Sequence, residues 1–164
     1  MKRIAVALAA LTLATATCRG EDAVVTYKSL APDTAFELAK AALDRCRKDG
    51  YQVAVIVLDR FGAPLVGLRD RFASIGAWDI ASGKAWTAVN FTLDTSEFVK
   101  RTKDGTLSSG LASMPHVAPL AGGVVIEAGG SLLGGVGVAG APGGDKDEAC
   151  AKAGLDAVRD KLDF

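Results

Sequence analysis

The apolar positions of this chain change period several times, and each change marks an element. Ala35, Leu38, Ala39, Ala42, Leu43 and Cys46 recur at three- and four-residue spacing. That spacing predicts a helix over 31–48 with one apolar face. Pro32 suits its first turn and Gly50 its exit. Tyr51 to Asp59 is almost wholly apolar and β-branched, the composition of a central strand buried on both faces. After the turn Arg60-Phe61-Gly62, Pro64 to Arg69 reads as the returning strand, with its proline where a missing N–H matters least. Ser74 is a natural N-cap for a second helix running to Phe91. Ile75, Trp78, Ala81, Ala85 and Ala88 mark the packed side of that helix. A short helix over 94–101 follows, then a polar loop over 102–115. A loop of that length is either functional or a surface excursion.

Val117 to Leu120 predicts a short strand. Residues 123–127 and 132–139 predict a hairpin across Ala128 to Ser131, where glycines supply positive φ. Asp145, with Glu148 three residues on, reads as a capping-box variant that opens a last helix. Ala149, Cys150, Ala153, Ala157, Val158 and Leu162 form the apolar face of that helix. Two hairpin-type units joined by helices predict an α+β fold with a five-stranded antiparallel sheet, not a doubly wound parallel one. Gly135 to Gly140 (GVGVAG) matches the dinucleotide-binding spacing, but here the motif is itself the strand. The chain ends after the next helix, so no second strand exists to carry a ribose-binding acid. These glycines instead permit close approach of another backbone or of a flat ligand.

Composition adds a compartment. Lys2 and Arg3, the apolar run from Ile4 to Leu13 and Ala14-Thr15-Ala16 have the layout of a secretory leader over 1–16. The run is too short to span a bilayer. The chain has 164 residues with 19 basic and 19 acidic ones. Removing Lys2 and Arg3 leaves 17 against 19, a balance with no footprint for nucleic acid. The expected organisation is leader 1–16, an extension 17–29 and one domain over 30–164, in a periplasmic or secreted protein. Three cysteines bear on this. Cys46 ends the first helix and Cys150 begins the last. If the first and last strands are antiparallel neighbours, both cysteines reach the same edge of the domain. In an oxidising compartment they then pair as a disulfide; otherwise they are buried thiols. Cys18 is left over. No cysteine–histidine spacing resembles a zinc site.

Several short runs together carry a family likeness. They are Val53 to Gly62 (VAVIVLDRFG), Leu68-Arg69-Asp70, Asp79-Ile80-Ala81 and Lys84-Ala85-Trp86-Thr87-Ala88. Gly122-Gly123, Ile126, Gly134 to Val138, and Gly140 leading to Asp147-Glu148 and Cys150-Ala151 complete the set. Over most of residues 30–160 the chain resembles the GlcG/HbpS family, also called the haem-degrading or DUF336 domain. Val125 stands where the family usually has proline, and Ala139 where it usually has serine, so no hydroxyl is available there. The resemblance implies a profilin-like three-layer α/β/α domain with strand order 2-1-5-4-3. It also implies homo-oligomers and a small-molecule ligand, with haem or a related tetrapyrrole favoured. The expectation is therefore a haem-binding protein. A haem-degrading or small hydroxy- or keto-acid enzyme and a non-catalytic accessory module are the alternatives.

The candidate residues follow. His116 is the only imidazole, so it is either the iron ligand or ordinary hydrogen-bonded structure. Met114 is a second axial candidate or packing. Arg69 and Lys84 either pair with propionates or form salt bridges to Asp70 and Asp79. Asp147 and Glu148 either hold a cation or complement a helix N-terminus. Trp78 and Trp86 share a helix and either flank a flat ligand or pack. No catalytic constellation emerges.

Overall fold

A computed structural model describes residues 23–162. The leader over 1–16 and Cys18 lie outside the described residues. The elements are α1 (Pro32–Lys48), β1 (Ala54–Asp59), β2 (Pro64–Arg69), α2 (Ile75–Phe91), α3 (Thr95–Lys103), β3 (Gly123–Ala128), β4 (Ser131–Ala139) and α4 (Gly144–Asp156). A 3-10 turn at Ser109–Ser113 interrupts the long loop. Ser74 caps α2 as expected, accepting from the Ala77 N–H.

The sheet is antiparallel with order β2-β1-β4-β3. β1 is its centre and splits the core by alternation. Val53, Val55 and Val57 pack with α1 and α4 residues such as Leu38, Ala42, Cys46, Cys150 and Ala151. Ala54, Ile56 and Leu58 pack with Ala77, Ala81, Ala85 and Val89 of α2. The result is three layers, α1 and α4 on one face and α2 on the other. β3 and β4 join through Gly129-Gly130, whose φ values of +53° and +71° suit the tight hairpin turn.

Among the described residues four strands form, not five. Val117 to Leu120 is irregular. Pro119 has no N–H, and the Ala118 N–H donates to the Thr87 hydroxyl of α2 instead of to a strand. The place beside β3 is taken by the start of α3. The Gly123 N–H donates to Thr95 Oγ1 and the Val125 N–H to Asp94 Oδ1. Those outward N–H groups would have bonded a further strand; side chains satisfy them, which also protects the edge. β1 also begins later than its apolar run. Tyr51 donates its N–H back to the Cys46 carbonyl and so belongs to the end of α1. The capping box at Asp145 is not formed either. Gly143 is the N-cap of α4 with no side-chain cap, and Asp145 sits in the first turn.

The predicted neighbours are in place. β1 pairs with β4 so that Ala54 lies opposite Ala139. This brings the end of α1 to the start of α4, and Cys46 and Cys150 are bridged with Cα atoms 5.5 Å apart. The link closes a separation of 104 residues. Chain entropy sets its contribution at up to ~4–5 kcal/mol, and measured values usually fall below that. Reduction, or Cys46→Ser with Cys150→Ser, is expected to lower the thermal midpoint by roughly ten degrees. Calorimetry with and without dithiothreitol reads this directly, and an unchanged midpoint would contradict it.

Candidate ligand cleft and buried ion pair

α2 is the element that builds the sites. Its Gly83 lets the 116–118 segment lie directly on the helix: a Cβ there would sit 2.9 Å from Ala118 Cβ and 3.2 Å from the His116 carbonyl oxygen. Thr87 fixes the segment. Its hydroxyl donates to the Gly83 carbonyl at 2.7 Å and accepts from the Ala118 N–H at 2.9 Å. The chain turns tightly just before, where the Val117 N–H donates to the Met114 carbonyl. His116 takes φ +69° in that turn, a left-handed conformation that non-glycine residues adopt only when surroundings hold them there.

Between this segment and α2 lies a cleft of about 500 Å³. Leu58, Pro64, Ile80, Trp86 and Val117 give it mostly apolar walls, and His116 stands at its exposed rim. The Trp86 and His116 ring centres are 5.8 Å apart, tilted by 47°. Gly62 also lines the cleft, at φ +82° beside the Trp86 ring. An apolar slot of this kind, with a single imidazole at its edge, fits a flat hydrophobic macrocycle that takes one nitrogen ligand.

The other candidates are dispersed. Met114 is exposed and outside the cleft lining. Arg69 donates to the Asp70 and Ala73 carbonyls and so fastens the turn after β2. The partner of Asp70 is Arg47, through Nε at 2.7 Å, which ties α1 to that turn. Trp78 and Trp86 do not face a common space: Trp78 lies over Gly67 of β2, where a Cβ would come within 2.2 Å of the ring.

Lys84 is 2% exposed. Its ammonium donates to the Val138 carbonyl at 2.9 Å and to Asp147 Oδ2 at 2.7 Å. Asp147 Oδ1 accepts from the Ala141 N–H. Burial pushes the Asp147 carboxyl above the ordinary carboxylate range, against the opposing pull of the Lys84 bond. Glu148 faces elsewhere. Its Oε1 accepts from Ser96 and Lys152, and the latter bond raises the Lys152 ammonium. Its Oε2 is buried without a hydrogen-bond partner among the described residues. Asp147 and Glu148 thus serve separate networks. Among the described residues no group of three or more His, Cys, Asp and Glu is placed to hold a metal ion.

Sequence reasoning named Trp86 but missed the other cleft walls and the Lys84–Asp147 pair. Gly83 was the available signal, since a glycine in mid-helix marks a close approach. The ion pair itself gives a test. Removing one partner leaves a buried charge, so Lys84→Met should lower stability by about 3–5 kcal/mol, and adding Asp147→Leu should recover most of it. Urea titrations of both variants measure this, and an additive second loss would refute the pairing. The sign with pH also follows. Just above the ordinary carboxylate range, folded Asp147 holds more protons than unfolded Asp147, so its contribution falls as pH rises. Asp147→Asn should flatten that slope.

Comparison with known proteins agrees with this architecture. Residues 30–156 match the family model described as haem degrading protein HbpS-like. The crystal structure of a double mutant of Streptomyces reticuli HbpS is 36% identical, with a TM-score of 0.79 over 95% of this chain and 99% of that one. A PduOC:heme complex is 28% identical, with a TM-score of 0.73 over 79% of this chain and 94% of that one. The corrinoid adenosyltransferase PduO of Salmonella typhimurium is 31% identical over 106 residues, 63% of this chain and 32% of that relative. The chain therefore spans about a third of that protein's length. With most of its length matched, the chain belongs to the GlcG/HbpS family of HbpS-like proteins.

Proposed function

We propose that this protein binds haem, or a closely related tetrapyrrole, in the cleft between α2 and the 116–118 segment. The observation that carries the reading is the apolar slot closed by Trp86 with His116 at its rim. The haem-bound PduOC relative supports it. Trp86, Leu58, Pro64, Ile80 and Val117 would cover the faces of the macrocycle and exclude water. His116 would offer its imidazole to the iron, held by the strained turn and the Thr87 bonds. When bound, haem supplies a redox-active iron. Arg69 and Lys84 are not used for propionates in this reading, because neither lines the cleft. Met114 has no part in it.

We also read the protein as secreted or periplasmic and self-assembling. The Cys46–Cys150 bridge supports an oxidising compartment. Phe72, in the turn before α2, and Ile75, at its start, are 76% and 79% exposed and support a further contact surface.

Hemin titration of the purified protein tests the ligand. A shifted Soret band saturating near one haem per chain is expected. His116→Ala should weaken binding at least tenfold, about 1.4 kcal/mol, and move the band. A wild-type titration showing only non-saturating adsorption would overturn the assignment. Incubation with catalase distinguishes binding from breakdown: a stable band is the expected result, and steady bleaching would establish turnover.

A further inference from the structure

The cleft and the buried ion pair do not share their charges. Ile80 divides the cleft from a second cavity, of about 400 Å³, to which Lys84 and Asp147 belong. The two spaces have only that residue in common. Among the described residues no lysine or arginine lines the cleft, and its one acidic residue is Asp79. Arg60, just before Gly62, is held elsewhere: it lies over the Tyr27 ring at 4.4 Å and donates to the Lys28 carbonyl. The Ser82 hydroxyl in the cleft donates to the Trp78 carbonyl. The Val117 and Ala118 N–H groups donate to the Met114 carbonyl and the Thr87 hydroxyl. None of these three donors is available to a carboxylate. Asp79 itself is exposed, and its carboxylate has no ion pair or hydrogen bond among the described residues. Its charge therefore stands uncompensated at the edge of an apolar slot.

On the reading that the cleft holds a tetrapyrrole, we propose that Asp79 is its specificity-determining residue: it turns away carboxylates, so the site selects macrocycles whose edge over α2 is uncharged. The placement follows from the helix. Asp79, Gly83 and Trp86 are spaced at i, i+4 and i+7 on α2 and so share one of its faces. At a rise of ~1.5 Å per residue, Asp79 stands roughly 10 Å along that face from Trp86. A macrocycle that lies on Trp86 and runs along the cleft brings one edge toward the Asp79 carboxylate. A carboxylate on that edge meets a like charge with no cation to offset it, and discrimination by repulsion needs no contact to the favoured ligand. Hemin carries its propionates on one edge, so it enters with that edge turned to solvent and its apolar edge over α2. A tetrapyrrole with carboxylates around its whole rim has no such orientation and is disfavoured.

The test is equilibrium titration of the purified protein with hemin and with hemin dimethyl ester, which has no carboxylate, in the wild type, Asp79→Asn and Asp79→Ala. Asp79→Ala removes the charge and adds no donor. Both variants should bind hemin roughly two- to fivefold more tightly than the wild type, the range of an exposed charge pair. They should bind the ester as the wild type does. Asp79→Lys should tighten hemin further, by roughly tenfold over the wild type. These gains should shrink as sodium chloride is raised, because salt screens exposed charges. A damaged fold loses affinity, so it cannot imitate a gain confined to the carboxylated ligand. An unchanged or lower ratio of hemin to ester affinity in Asp79→Ala would overturn the proposal while leaving haem binding intact. Failure of both porphyrins to saturate the wild type would remove the haem reading, and the proposal with it.

Discussion

Helix α2 lies on the bare backbone of β4, and both candidate sites depend on that contact. A Cβ at Gly137 would come within 2.0 Å of the Ala81 carbonyl oxygen, and one at Gly135 within 2.7 Å of Val89 Cγ2. Ala81 and Ala85 are fully buried against this floor. Small residues on the helix and glycine beneath it let the two backbones approach as larger side chains would not. The approach points Lys84 down to the Val138 carbonyl and carries Trp86 to the mouth of the cleft. The repeat that imitates a nucleotide loop is in fact the seat of a helix.

That seat also separates two kinds of chemistry. On one side of Ile80, the chain offers apolar surface and one imidazole. On the other, it buries an ammonium and a carboxylate with complementary bonds. A buried pair is weak grounds for stability, because desolvation offsets much of the attraction. Its bonds tie α2 to the end of β4 and the start of α4. His116 thus stands at the exposed rim of one space, and Lys84 is enclosed beside the other.

Much of the fold was legible because β1 and the helices alternate as burial requires. Val53, Val55 and Val57 face one layer while Ala54, Ile56 and Leu58 face the other, and the register that joins Cys46 to Cys150 follows. The fifth strand was misread, because its place is filled by two side chains, Asp94 and Thr95, that lie 31 and 28 residues before the groups they bond. Single-sequence patterns carry no such tertiary substitution. The same is true of the ion pair: Lys84 and Asp147 are 63 residues apart, and only the packing of α2 against α4 and β4 unites them. Arg69 was left open between ligand binding and a structural bond, and local geometry uses it to close a turn.

The central claim is that α2 and the Thr87-anchored segment form the haem cleft. A crystal structure of the hemin complex tests it most directly. The account predicts the macrocycle against Trp86, with the iron within bonding distance of the His116 imidazole. Density for the macrocycle elsewhere on the protein, with water filling the space between Trp86 and His116, would contradict it.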